Sequence, residues 1–99
     1  MIELNGNLFD WDDDKNDANI IKHGISFPEA STVFLDLDAV IIEDEAHSED
    51  EERFLIIGFN ANARLLVVCH CYRDNDNVVR IISARKANRE ESDLYGGAK

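Results

Sequence analysis

The chain is short of positive charge, long apolar runs, cysteine and proline, and each shortage excludes something. Ten lysines and arginines stand against 21 aspartates and glutamates, a formal charge of −11. Coating DNA or an anionic membrane needs positive charge, so the molecule as a whole suits neither. The apolar runs reach five residues, as in Leu65 to Cys69, far below the ~20 of a spanning helix. The opening Met-Ile-Glu-Leu-Asn has neither a basic start nor an apolar stretch of signal length. The expected location is the cytoplasm, with no membrane partner. Cys69 and Cys71 are the only cysteines. Two apart on one strand, they face the same way, and bridging them there needs distortion. A Cys-x-Cys pair without a second pair is also weak as a zinc site. Two buried, reduced thiols are expected. Pro28 is the single proline, and there are no repeats or low-complexity linkers. The expectation is one domain, residues 1–99.

What is present is unevenly distributed. Residues 1–52 hold 16 acids and two bases, whereas residues 53–99 hold five acids and eight bases. The acids cluster at Asp10 with Asp12–Asp14 and from Glu43 to Glu52. They are either solvated loops or a surface for a basic partner protein. Leu8-Phe9-Asp10-Trp11 reads as a short strand. Asp12 or Asp13 can cap a helix starting near Lys15 and stopping at Gly24, with Trp11, Ala18, Ile21 and Ile25 as its apolar repeat. Ser26 and Glu29 form a capping box for a second helix ending near Asp36, with Pro28 in its first turn. Four apolar segments follow, 39–42, 53–59, 64–72 and 78–84, separated by Asn- and Asp-rich turns. Residues 85–95 read as a closing helix, and 96–99 should fray. The fold class is α+β: two N-terminal helices on a small antiparallel sheet, a meander of about four strands plus a short N-terminal strand, with a C-terminal helix.

The turns suggest a register. A hairpin centred on Asn75 sets His70 opposite Arg80. One centred between Ala61 and Asn62 sets Arg53 opposite His70. Arg53, His70 and Arg80 then form one polar row, followed by an apolar row of Leu55, Val68 and Ile82. A one-residue slip would send alternate residues to the other face. Three cations in a row repel unless carboxylates or a bound anion offset them. Arginine grips phosphate through its planar fork, and histidine moves protons near neutral pH. That is the chemistry of RNA cleavage, in which a 2′-hydroxyl attacks phosphorus and cations stabilise the phosphorane. Alternatively, the same residues pair with the acidic loop and cover the sheet edge. His23 suits the last turn of a helix, and His47 sits in an acidic loop as a solvent-facing side chain. Arg85 and Lys86 either reach phosphate or simply flank a helix start.

Three blocks then stand out together. They are Lys22-His23-Gly24-Ile25-Ser26-Phe27 with Glu29-Ala30 and Val33-Phe34; His47-Ser48 with Glu52-Arg53-Phe54; and residues 80–87, Arg-Ile-Ile-Ser-Ala-Arg-Lys-Ala. In this order and separation they resemble the BrnT family, toxins of bacterial type II toxin–antitoxin systems, from about Phe9 to Tyr95. The resemblance implies a RelE-like fold and a metal-independent endoribonuclease that inhibits translation, with no cofactor. It implies neutralisation by a BrnA-type ribbon-helix-helix antitoxin, through which alone the complex meets operator DNA. On this chain it points to His70, Arg80 and Arg53 as catalytic candidates, with Arg85 and Lys86 as RNA-binding ones. The charge of −11 is opposite in sign to what RNA binding favours. The basic carboxyl half would therefore have to make a local positive groove. The rival readings are a non-enzymatic acidic module or weakened toxin acting only in a complex with a basic partner, and an acidic mimic of nucleic acid.

Overall fold

The computed structural model describes residues 1–47 and 51–97. Ser48, Glu49 and Asp50 of the acidic run, and Ala98 and Lys99 of the expected frayed tail, lie outside the described residues. The strands are β1 (Ile2–Leu4), β2 (Asn7–Asp10), β3 (Val40–Glu43), β4 (Phe54–Phe59), β5 (Leu65–Arg73) and β6 (Val78–Lys86). The helices are α1 (Asp13–His23), α2 (Phe27–Ser31) and α3 (Arg89–Gly97). They build a six-stranded sheet in the order β1-β2-β6-β5-β4-β3. The α+β class holds, but the sheet is mixed. β1 and β2 form a hairpin, and β2 lies parallel to β6 while the other pairs are antiparallel. None of the described helices is long and apolar enough to cross a membrane.

Local chemistry explains the helix ends. Asp12 accepts from the amides of Asp14 and Lys15 and so caps α1, and Gly24 closes it at φ 70°. Ser26 caps α2 by accepting from the Glu29 amide. Glu29 does not reach back. Its carboxylate instead holds Asn60 and Arg64 of the β4–β5 turn, so only half of the capping box forms. After Ser31 the helix tightens into a 3₁₀ turn over Thr32–Leu35.

α1 and α2 cover one face of the sheet, with Ile25, Phe27, Ala30 and Val33 packed against Phe9, Ile56, Leu66, Val68, Val79, Ile81 and Ala84. The apolar repeat of α1 is only partly used. Ile21 is 87% exposed, and the buried residue of this helix is Asn19. Asn19 donates to the carbonyls of Ile25 and Ala84 and accepts from the Ala84 amide. The opposite face has a smaller cluster of Ile57, Val67 and Tyr95, with α3 over one end. Arg85 and Lys86 finish β6 rather than opening the last helix. That helix starts later, where Asn88 and Glu91 exchange side-chain bonds with each other's amides.

Candidate active site

Both central hairpins sit one register step from the expected positions. β4 pairs Phe54 with His70 and Leu55 with Cys69. β5 pairs Cys71 with Arg80 and His70 with Ile81. The turns are the cause. Asn60 and Arg64 close the first turn, with Ala63 at φ 61°. The second runs through three consecutive left-handed residues, Asp74, Asn75 and Asp76, a conformation that short Asx side chains tolerate. A bulge follows, because Cys69 faces Ser83 while His70 faces Ile81, leaving Ile82 as the extra residue. The expected apolar row is therefore replaced by Leu55, Cys69 and Ser83.

The slip removes His70 from the polar row. Its side chain lies on the helix face, fully buried, with ring centroids 4.9 Å from Phe34, 5.4 Å from Tyr72 and 6.1 Å from Phe54. Nδ1 donates to the Val68 carbonyl at 3.1 Å, and Nε2 is sealed in without a hydrogen-bond partner. Burial pushes the His70 pKa down, which keeps the ring neutral. A group with no solvent-accessible surface cannot exchange protons with RNA, so the expected catalytic role of His70 fails on steric grounds.

Arg53 and Arg80 stay on the other, open face. Continued by one pair, the register sets Arg53 opposite Cys71, and Cys71 faces Arg80, which pairs across β2 with Asp10. The row is thus Arg53, Cys71, Arg80 and Asp10. Two interstrand spacings put the backbones of Arg53 and Arg80 ~10 Å apart. Arg80 donates one terminal nitrogen to Asp10 at 2.7 Å. A guanidinium fork has five donors, so capacity remains for a phosphate.

Arg85 reaches the same face five residues further along β6, beyond the bulge. Its two terminal nitrogens grip Glu91 at 2.7 Å each, and Glu91 is itself fixed by the α3 cap. The contact lowers the Glu91 pKa and raises that of Arg85. Lys86 does not join them. It pairs with Leu66, which is buried on the helix face, so strand alternation points Lys86 away from Arg85.

A pocket of about 250 Å³ lies on the open face, lined by Asp44, His47, Arg53, Leu55, Cys69, Ile82, Ser83 and Arg85. The Asp44 amide donates to the Arg53 carbonyl, extending the β3–β4 ladder so that Asp44 stands beside Arg53. His47, on a 3₁₀ turn over Glu45–His47, places Nδ1 3.0 and 3.2 Å from the two Asp44 oxygens. Sequence reasoning treated His47 as a solvent-facing loop residue; the available signal was the Asp44-x-x-His47 spacing, one turn apart. Cys69 and Cys71 are buried free thiols, as expected. Burial and the nearby Asp44 carboxylate push Cys69 up to about 11, so it stays protonated and is no nucleophile at neutral pH. A larger pocket, of about 430 Å³, is lined by Glu51, Glu52, Phe54, Tyr72 and Asp76. Its three carboxylates repel phosphate. Among the described residues, no three His, Cys, Asp or Glu side chains converge as a metal site.

The chain was compared with known proteins. A family model described as the ribonuclease toxin BrnT of type II toxin–antitoxin systems matches residues 11–91. No curated protein matches the chain. Among solved structures, the chain is similar to the 1.1 Å crystal structure of the Brucella abortus ribonuclease toxin BrnT. The two are 24% identical, with a TM-score of 0.65, over 84% of this chain and 99% of the other. That likeness establishes a shared fold.

Proposed function

Because the chain belongs to the BrnT family of ribonuclease toxins of type II toxin–antitoxin systems, we propose that its open face cuts RNA and so blocks translation in the cytoplasm. The observation that carries this reading is the convergence of Arg53 and Arg85 on one pocket, with Arg80 in the row of Arg53. Arg53 and Arg80 hold the scissile phosphate and stabilise the charge that builds on it as the 2′-hydroxyl attacks. Arg85, oriented by Glu91, binds the neighbouring phosphate. Guanidinium groups supply the positive charge in this scheme, so it needs no metal ion. Arg80 is paired with Asp10 and Arg85 with Glu91, so in this chain of net charge −11 the anionic substrate is met by the guanidinium donors that those carboxylates leave unused, not by a surplus of positive charge. In this reading the architecture is RelE-like, and the partner is a BrnA-type ribbon-helix-helix antitoxin that carries the complex to operator DNA.

The test is expression of the chain alone in bacteria, beside an Arg80→Ala variant at equal protein level. Growth arrest with fragmented RNA is expected for the unaltered chain. Relief of both by Arg80→Ala is expected, because losing one phosphate-binding arginine costs at least ~10-fold in rate. Unimpaired growth and intact RNA with folded, soluble protein would overturn the reading in favour of a non-enzymatic module that works in a complex.

A further inference from the structure

The proposed ribonuclease reading lacks a proton acceptor once His70 is sealed in the core. We infer that His47, held by Asp44, is the general base that takes the proton from the attacking 2′-hydroxyl. The inference rests on the ribonuclease reading and adds to it the residue that moves the proton.

Geometry carries it. The Asp44 carboxylate only accepts hydrogen bonds, so the His47 nitrogen 3.0 Å away is the one that bears hydrogen. In the neutral ring the lone pair then sits on Nε2, on the far side of the imidazole from Asp44. The His47 side chain is 65% exposed, whereas Asp44 is 14% exposed. A semi-buried carboxylate thus holds an accessible imidazole in one tautomer, the relation of orienter to base in hydrolytic sites. The Cys69 thiol also points at Asp44, with Sγ 3.9 Å from Oδ2. Asp44 is therefore anchored on the sheet while it orients the ring.

The rest of the pocket leaves His47 as the natural acceptor. Among the described residues that line the pocket, the other charged and titratable groups are Asp44, Arg53, Cys69 and Arg85. Carboxylates are far weaker bases than imidazole, arginine is already protonated and has no lone pair to take a proton, and the Cys69 thiol is held protonated. Serine hydroxyls, such as that of Ser83, are not bases at neutral pH. Arg53 lies opposite Asp44 across the β3–β4 ladder and lines the same pocket as His47, so a phosphate held by Arg53 shares that pocket with the imidazole.

The step balances as a transesterification. The 2′ oxygen bonds phosphorus as its proton passes to His47 Nε2, and the bond from phosphorus to the 5′ oxygen breaks. The departing 5′ oxygen keeps the electron pair and takes a proton from water, and His47 returns its own proton to solvent. One fragment ends in a 2′,3′-cyclic phosphate and the other begins with a 5′-hydroxyl.

The experiment uses the purified full chain and an end-labelled, mixed-sequence single-stranded RNA, with rates read across pH 5 to 9. His47→Ala should slow cleavage by ~10²-fold or more, and added imidazole should restore part of the loss. Asp44→Asn, which acts through His47, should slow cleavage and lower kcat far more than it raises KM. His23→Ala, on the far side of the sheet, should do neither. Cleavage by His47→Ala within about twofold of the unaltered chain would overturn the assignment while leaving the ribonuclease reading intact. So would a slowed His47→Ala that imidazole does not rescue. Absence of any cleavage by the unaltered chain would overturn the ribonuclease reading itself, and this assignment with it.

Discussion

His70 and His47 divide the properties that a catalytic histidine needs. His70 has a confined position but no access, enclosed by Phe34, Phe54 and Tyr72. His47 has access, and its orientation comes from a single carboxylate. The burial of His70 is a stability statement. Its folded pKa is depressed, so the unfolded chain takes up a proton that the native ring resists. The stabilising preference for neutral His70 is complete above the unfolded value near 6.5 and is lost as pH falls from there toward the folded value. Unfolding free energy should therefore decline below pH 6.5, by up to ~1.4 kcal/mol per pH unit. Replacing His70 with Phe, which keeps the ring packing, should flatten that limb. Urea unfolding at pH 7.5, 6.5, 5.5 and 5.0 reads the effect, and parallel slopes for the two proteins would refute it.

At the scale of elements, the helices are attached to the sheet by polar pins as much as by apolar packing. α1 exposes Ile20 and Ile21 and buries Asn19, whose amide bonds both backbone groups of Ala84 near the end of β6. The same amide holds the Ile25 carbonyl at the end of the α1–α2 connection. Asn19→Ala would strand these three backbone groups in the core. The expected loss is ~3 kcal/mol in unfolding free energy by urea titration, with little change in cleavage by the folded protein. A loss under ~0.5 kcal/mol would mean that the pin is dispensable. Asp36 plays a similar part on the other side. It accepts from the Phe59 amide and from the Tyr95 hydroxyl, and so links the end of the 3₁₀ turn over Thr32–Leu35 to β4 and α3. α3 in turn positions Glu91, and through it Arg85. The closing helix thereby serves both the small second core and the site.

At the scale of the whole molecule, the open face sets arginines against acids, Arg80 with Asp10 and Arg85 with Glu91, in a chain that is acidic as a whole. The family brings an antitoxin partner. Sixteen of the 21 acids lie in residues 1–52, so the field over much of the surface favours a basic partner. The association rate with the antitoxin should fall at least ~10-fold between 50 and 500 mM salt, measured by stopped-flow or surface binding. A salt-independent rate would mean that apolar contacts alone bring the two chains together.

The amino-acid sequence by itself carried the family, through the blocks around residues 22–34, 47–54 and 80–87, and also the α+β class, a first-helix cap narrowed to Asp12 or Asp13, the cap at Ser26 and the stop at Gly24. These are local or contiguous signals, and capping depends on residues only three or four apart. It also brought out Arg53 and Arg80 as members of one row. What it left to the tertiary structure was the middle of that row, Cys71 rather than His70, and the side of the sheet on which Lys86 lies. The reason is the period of two along a strand: one extra turn residue or the bulge at Ile82 reverses every side chain beyond it. The parallel pairing of β2 with β6 and the arrival of Arg85 at the pocket of Asp44, His47 and Arg53 were likewise decided only by packing, because those contacts join segments far apart in the chain.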